Sequence, residues 1–245
     1  MKRLLSVLMV LFLYAPVSQA QNFMTYEGEK VNEIDANGKK VGIWKLFNPG
    51  AEALVIGKVY DNTRLDGAAY FYRGKLFAKQ YNDSVFDIAE KGELVRVQIH
   101  HLEEYLDRFL AVHQKKDTFQ LSDYERYFKR ANGEPFDPKL ARFFENLALS
   151  MPLFYDNLEH FLSDFIRFSP EMRKGGRIEV QFVIQPDGKV MYPKVLKTAN
   201  EKLIDQTIKM VSKMPRWQPA LLYGRFIPFT FTMPINFAEI NVHNY

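Results

Sequence analysis

The sequence contains no cysteine, and this absence removes several classes of protein at once. A chain without cysteine has no disulfide bond, no thiol nucleophile and no cysteine-ligated zinc site. A bacterial lipoprotein is excluded as well, because its lipid is attached to a cysteine. The fold must therefore be stabilised by buried apolar surface, which the 21 Phe and 13 Tyr residues can supply.

Long apolar runs are absent too. No stretch approaches the roughly 20 residues that a membrane-spanning helix needs, which excludes a channel of bundled helices. The 12 prolines are scattered through the chain and form no extended spacer. Hydrophobic residues make up 47% and charged residues 25% of the sequence, as in ordinary soluble globular proteins, so a disordered or collagen-like chain is excluded.

Residues 1–20 are typical of a secretory signal peptide. Lys2 and Arg3 precede a short apolar segment, and Ser18 and Ala20 are the small residues expected before a cleavage site. We expect cleavage before Gln21, which leaves no transmembrane span. The alternative is that the segment is retained as a membrane anchor.

Net charge adds only a weak indication of partners. The formal charge is +4, but residues 171–225 carry eleven basic and five acidic side chains. This excess is consistent with an anionic partner for that region or with a solvated basic surface. Because the chain is predicted to be exported, nucleic acid is not an expected partner.

Residues 21–90 read as short strands separated by Asn-Gly turns. Two units within them, 37–47 and 62–72, share an Asn, a basic residue, a Gly and an aromatic residue five positions after that Gly. Over residues 32–82 the chain resembles the MORN-like repeats of the YwqK antitoxin family. That resemblance implies a small antiparallel sheet and no reaction.

Residues 91–159 are predicted to be mostly helical. The apolar spacing favours one helix over the first part of this region, although residues 94–99 alternate as a strand would. A capping box at Ser122 and Glu125 predicts the start of a second helix. Asp137 and Pro138 predict the start of a third, since proline is tolerated at the first helical position. A fourth helix is predicted from apolar spacing at 158–165. The aromatic residues of these helices are interpreted as core.

Residues 160–245 read as strand, turn, strand, helix and strand. Residues 178–184 alternate apolar and polar side chains, which is typical of a half-buried strand. A turn at 186–189 contains Gly188, a residue that adopts positive φ without strain. The returning strand covers 190–196, the helix covers 203–214, and the last strand is predicted at 226–232. One helix packed on a small antiparallel sheet is expected.

Four motifs in this region occur together in order. They are FVIQPDGKV at 182–190, MPRWQPA at 214–220, GRFIPF at 224–229 leading into MPINF at 233–237, and FIRFSPE at 165–171. On these motifs, residues 160–238 resemble the TonB C-terminal domain family. Two features depart from the family: residues 168–170 read Phe-Ser-Pro where Tyr-Pro is usual, and the long membrane anchor and Pro-rich spacer of the energy transducers are missing.

The resemblance implies a binding mode. In the family, this domain adds a short extended segment of an outer-membrane transporter as a strand beside its last β-strand, which requires an edge with free N–H and C=O groups. The alternative is that residues 238–245 or the helical region cover this edge. Pro228 is expected to weaken the edge or to set which face pairs, because it has no N–H donor. The matching partner-binding residues are Phe226, Ile227, Phe229, Thr230, Phe231 and Thr232.

No familiar catalytic or metal-binding signature is present. A nucleophile elbow, a phosphate-binding glycine loop and an H-E-x-x-H helix are all missing. His100 and His101 are adjacent and so cannot act as an i, i+4 ligand pair, while Glu103 and Glu104 are interpreted as a solvated helix surface. We therefore predict no catalytic residue, no metal site and no cofactor.

The sequence predicts an α+β protein with a signal peptide at 1–20, a MORN-like β repeat region at 21–90, a helical region at 91–159 and a TonB C-terminal-like domain at 160–245. The predicted function is that of an exported, periplasmic or envelope-associated binding protein, linked to TonB-dependent transport. Its expected partner is an envelope protein such as the N-terminal segment of an outer-membrane transporter. One alternative is an anchored TonB-like energy transducer for nutrient uptake, and another is an envelope enzyme with its site in the helical region. The oligomeric state is not predicted.

Overall fold

The computed structural model describes residues 23–48, 51–114, 119–155, 157–167, 172, 176–198 and 200–237. The predicted signal peptide and its cleavage site lie outside these residues. Strands and helices both occur, and the predicted α+β class is confirmed. Within the described part of the chain, no helix combines the length and apolarity needed to cross a bilayer.

The chain forms strands of two to nine residues. They are β1 Met24–Tyr26, β2 Glu29–Val31, β3 Glu33–Ile34, β4 Lys40–Val41, β5 Ile43–Asn48, β6 Ala53–Asp61, β7 Arg64–Tyr72, β8 Lys75–Gln80, β9 Val85–Glu90, β10 Glu93–Ile99, β11 Phe128–Arg130, β12 Leu153–Phe154, β13 Gly176–Ile184, β14 Val190–Thr198, β15 Trp217–Gln218, β16 Ala220–Leu222, β17 Arg225–Ile227 and β18 Phe229–Phe237. The α-helices are α1 Leu102–Gln114, α2 Leu121–Tyr127, α3 Pro138–Ala148, α4 Leu158–Arg167 and α5 Ile204–Ser212.

A large antiparallel sheet organises the first two thirds of the chain. Its strand order is β11-β10-β9-β8-β7-β17-β16, and β5 and β6 branch from it at β7. In β5, Trp44 and Leu46 are buried while Ile43 and Phe47 are exposed, which is the alternation of a sheet with one solvated face. Helices α1, α2 and α3 contribute to the core on the buried face through residues such as Tyr105 and Phe144.

A second, three-stranded sheet has the order β14-β13-β18. The alternation predicted for residues 178–184 is confirmed, because Ile178, Val180, Phe182 and Ile184 are fully buried. Helix α5 packs on this sheet, and together they enclose a second apolar core. This sheet contains the edge that is predicted to accept a partner strand.

The strand alternative at residues 94–99 is confirmed: residues 93–99 form strand β10, which pairs with β9 on one side and β11 on the other. Two other local predictions are wrong in detail. Helix α2 begins one residue before Ser122, with the capping box formed by Gln120 and Asp123. The single strand predicted at 226–232 is divided into β17 and β18.

The division of that strand has a clear cause at Pro228. A proline donates no hydrogen bond and so interrupts a ladder, and the chain passes from the large sheet to the small sheet at this residue. The segment just before it, hairpin β16–β17, pairs with β7 at Arg225 and Arg64 and packs in the core of the large sheet. The two halves of the fold therefore share residues 220–229.

Candidate functional site

The first two predicted partner-binding residues lie away from the small-sheet edge. Phe226 and Ile227 are in β17 and are only 4% exposed. The Phe226 ring packs edge-on to Trp44, with 4.9 Å between centroids, and the Lys40 ammonium lies 4.3 Å from its centre. The placement of Phe226 and Ile227 on the edge strand is therefore corrected: both are core residues of the large sheet, because the chain changes sheets at Pro228.

The other four predicted residues lie in β18. Phe229, Thr230, Phe231 and Thr232 pair with β13, and the pairing continues without a register shift to Phe237. Within the described residues, no strand pairs with the opposite side of β18. This side is therefore an edge of the kind that can accept an added strand.

The side chains of β18 alternate between the two faces of the sheet. Phe231 packs against Trp217 and Phe182, with centroid distances of 5.4 and 5.7 Å. Thr232 lies on the other face, where its hydroxyl accepts a hydrogen bond of 3.3 Å from the Gln181 amide. A segment added beside β18 would continue both faces, one against the apolar core and one beside polar side chains.

The position of Pro234 indicates which β18 residues direct their backbone N–H and C=O groups away from β13. In an antiparallel ladder, alternate residues direct both N–H and C=O to the same neighbour. Pro234 is paired with Glu179 but has no N–H, so its position must be one whose polar groups face away from β13. By the same alternation, the free N–H groups of the edge belong to Thr230, Thr232 and Asn236, and Pro234 leaves one gap between them.

The opposite edge of the small sheet, strand β14, is poorly suited to strand addition. Its pairing with β13 contains two register shifts, and Tyr192 adopts a φ of 54° within the strand. Pro193 follows directly, and Lys194 and Lys197 are exposed. Bulges, proline and lysine are the devices by which sheets protect an edge, whereas the nine residues of β18 pair with β13 without a register shift.

The small sheet is held firmly by contacts between two of the sequence motifs. The backbone N–H of Trp217 donates a 2.9 Å hydrogen bond to the Gly188 carbonyl. A Cβ atom at Gly188 would lie 2.2 Å from the Trp217 carbonyl oxygen, and Gly188 has a φ of +82°. The turn at 186–189 thus needs glycine both for its backbone conformation and for this close approach.

Residues of the N-terminal region also contact the segment 216–218. The buried Asn32 amide donates to Gln218 Oε1 at 2.7 Å and to the Lys45 carbonyl at 2.8 Å. Arg216 donates to the Asp187 carbonyl at 3.1 Å and packs on Gly38. Sequence reasoning missed these positioning residues, because no local pattern links positions so far apart in the chain.

Lys40 is a buried titratable group close to this segment. Its ammonium donates a 2.7 Å hydrogen bond to the Asn62 carbonyl and is almost inaccessible to solvent. Desolvation by burial is the largest cause that lowers the pKa of Lys40 to about 8, while Asp187 opposes this shift. Lys40 is therefore a buried cation that forms no direct ion pair with any of the described residues.

The helical region contains a buried carboxyl group that the sequence did not reveal. Glu145 in α3 accepts hydrogen bonds from Tyr105 in α1 and from Tyr124 in α2, the latter at 2.8 Å. Tyr223, in the turn of hairpin β16–β17, lies 3.3 Å from Tyr105 between hydroxyl oxygens. Burial raises the pKa of Glu145, and the two tyrosine hydroxyls oppose this rise. The carboxyl is 8% exposed, so it links helices and hairpin and is not open to a substrate.

Glu103 and Glu104, interpreted above as a solvated helix surface, form ion pairs, and a further histidine, His113, packs on an aromatic ring. His113 stacks on Phe109 with 4.1 Å between ring centroids, and burial lowers its pKa. Glu104 forms an ion pair of 2.6 Å with Arg126, and Glu103 pairs with Arg225. Over the residues that the structure describes, no group of three metal-binding side chains occurs.

Comparisons with known proteins identify one part of the chain. No curated protein and no solved structure matches the chain. Residues 32–82 lie outside the family match at 169–238, and the resemblance to MORN-like repeats is not supported. Residues 169–238, which contain the three-stranded sheet, match the family model described as Gram-negative bacterial TonB protein C-terminal.

Proposed function

We propose that this protein is a non-catalytic binding protein of the bacterial envelope, exported to the periplasm, that holds an extended segment of a partner along the free edge of β18. The observation that carries the proposal is that one side of the nine-residue strand β18 pairs with no other strand among the described residues, in the region that matches the TonB C-terminal model. Backbone hydrogen bonds to Thr230, Thr232 and Asn236 would supply affinity, and the alternating faces would supply specificity.

The asymmetry between the two edges supports this assignment. Strand β14 carries the bulges, Pro193 and lysines that discourage pairing, whereas β18 has only the gap at Pro234. The family resemblance makes the N-terminal segment of an outer-membrane transporter the expected partner. A link to TonB-dependent transport is part of the proposal.

A proline substitution on the edge tests the binding mode directly. Thr232→Pro removes an N–H that faces away from β13, so the small sheet should remain folded while the partner loses a backbone bond and meets the proline ring. Thr232→Val is the matched control, because it keeps the N–H and a β-branched side chain. The full mature chain would be used as bait on detergent-solubilised envelopes, with quantitative mass spectrometry of the captured proteins.

The expected result is that wild type and Thr232→Val capture the same proteins, and that Thr232→Pro loses them with a change in unfolding free energy of about 1 kcal/mol or less, on the order of one hydrogen bond. If the proline variant is folded and captures the same proteins as wild type, strand addition at β18 is refuted.

A further inference from the structure

A groove lies at one end of the large sheet, far along the chain from β18. It is formed where the turn between β6 and β7 lies beside the turn between β8 and β9, and its volume is about 330 Å³. This lies at the lower end of the range for small-molecule sites. The aromatic and polar side chains that line the groove include Tyr60, Arg64, Asp66, Gln80, Tyr81 and Asn82.

Two tyrosines of the groove are exposed to an unusual degree for large aromatic residues. Tyr60 is 62% exposed and Tyr81 is 67% exposed. An arginine guanidinium packs against each ring. The guanidinium carbon of Arg64 lies 4.2 Å from the Tyr60 centroid, and that of Arg96 lies 4.2 Å from the Tyr81 centroid. The arginines orient the rings, which present most of their surface to solvent.

The polar groups around the rings are also held in place. Arg64 forms an ion pair with Asp83 across the two turns. The Asn82 side-chain oxygen accepts hydrogen bonds of 3.1 and 2.9 Å from the backbone of Ser84 and Val85, which fixes its amide. Preorganised planar amides and guanidinium groups make directional hydrogen bonds at a small entropic cost.

Gln80 lines the groove but directs its amide toward hairpin β16–β17, where Nε2 lies 3.4 Å from the Tyr223 carbonyl oxygen. Its side chain is 4% exposed, and its Oε1 atom has no hydrogen-bond donor among the described residues. This oxygen lies beside Gly224 and is not offered to a ligand in the groove.

The charge balance of the groove selects the class of ligand. Its arginine is already paired with Asp83, and Asp66 adds a further exposed carboxylate. A phosphate or carboxylate ligand would therefore meet no unpaired cation among the lining residues. A sugar ring fits better, because its apolar C–H face packs on an aromatic ring while its hydroxyls bond to amide and carboxylate groups.

We propose that the groove between Tyr60 and Tyr81 binds a neutral hexose or N-acetylhexosamine unit of a polysaccharide. This site lies on the large sheet and uses none of the β18 residues, so it is additional to strand addition. A protein with both sites would hold an extended protein segment on one sheet and a glycan on the other.

The test is isothermal titration calorimetry of the full mature chain with two soluble probes, cellotetraose and tetra-N-acetylchitotetraose. We expect at least one probe to bind. Tyr60→Ala and Tyr81→Ala should each weaken that binding about tenfold or more, as for the loss of an aromatic contact worth about 1.4 kcal/mol. Tyr60→Phe keeps the ring and should retain most of the affinity.

Phe47→Ala is the matched control, because Phe47 is 60% exposed on the same sheet but does not line the groove. The Phe47→Ala variant should bind the probe with the affinity of the wild type. Absence of binding by both probes, or an equal loss in Phe47→Ala, would overturn the proposal. Neither result depends on β18, and the Thr232 variants should bind the probe as wild type does.

Discussion

Replacement of Gly188 by alanine should destabilise the protein well beyond the ordinary cost of removing a glycine. Gly188 has a φ of +82°, and an alanine there accepts a left-handed conformation that costs about 1–2 kcal/mol. The new Cβ would also lie 2.2 Å from the Trp217 carbonyl oxygen, which is a backbone atom and cannot rotate away. Relief of this clash requires the turn and Trp217 to separate.

That separation has further costs that the structure defines. It breaks the 2.9 Å hydrogen bond from the Trp217 N–H to Gly188, worth about 0.5–1.5 kcal/mol. It also disturbs Trp217, which is 2% exposed and packs on Phe154 with 5.0 Å between centroids. Strain and the lost hydrogen bond together should cost about 1.5–3.5 kcal/mol, to which the disturbed packing of Trp217 adds.

Gly74→Ala is the matched control for this prediction. Gly74 has a φ of +74° in the turn between β7 and β8, and no atom lies within 4 Å of an added Cβ. Alanine there should cost only the conformational strain. Urea unfolding followed by circular dichroism would give both free energies. Equal losses in the two variants would refute the argument that Gly188 is required for close packing on Trp217.

Two further predictions concern pH. Burial raises the pKa of Glu145 above its ordinary value of 4.5, so the folded protein retains a proton that the unfolded chain releases, and stability should fall as pH rises from about 4.5 toward the folded pKa. Glu145→Gln should flatten this fall relative to wild type, and an unchanged slope in denaturant titrations across that window would contradict it. Burial lowers the pKa of Lys40 from 10.5 to about 8, so stability should rise between about pH 8 and 10 as the unfolded chain retains the extra proton. Lys40→Met should remove this rise, and a wild-type-like increase in its thermal midpoint over that range would show that another group is responsible.

Sequence patterns were sufficient for much of the small sheet. The alternation at 178–184, the glycine turn at 188 and the helix that follows are all local signals, and the structure has strands and a helix in those places. The cap at Asp137 was also predictable, since its side chain accepts from the Lys139 N–H at 2.8 Å. Periodicity and capping depend on neighbouring residues and are readable without the fold.

The division of 220–229 between two sheets could not be predicted in the same way. Residues 226–232 alternate poorly because β17 is buried on both sides, and a short apolar run does not reveal which sheet it joins. That choice is set by pairing of β17 with β16 and with Arg64 in β7, far away in sequence. The buried Glu145 carboxyl and the tyrosines around it were missed for the same reason, since these tyrosines come from α1, α2 and hairpin β16–β17.

The candidate edge was predicted only in part. Thr230 and Thr232 were identified from the family resemblance, whereas Phe226 and Ile227 were misplaced. The gap at Pro234 became interpretable only with the register, because its pairing with Glu179 shows which direction the missing donor faces. Pro228, the residue expected to weaken the edge, instead marks the point where the chain leaves the large sheet.

In-cell photo-crosslinking tests strand addition at β18 most directly. A photoreactive residue would replace Thr232 on the free edge, and a second variant would carry it at Lys194 on the protected edge of β14. The account predicts that the Thr232 probe captures an envelope protein through an extended segment, identified by mass spectrometry of the linked peptide, and that the Lys194 probe does not. Capture of the same segment from both positions, or from Lys194 alone, would contradict it.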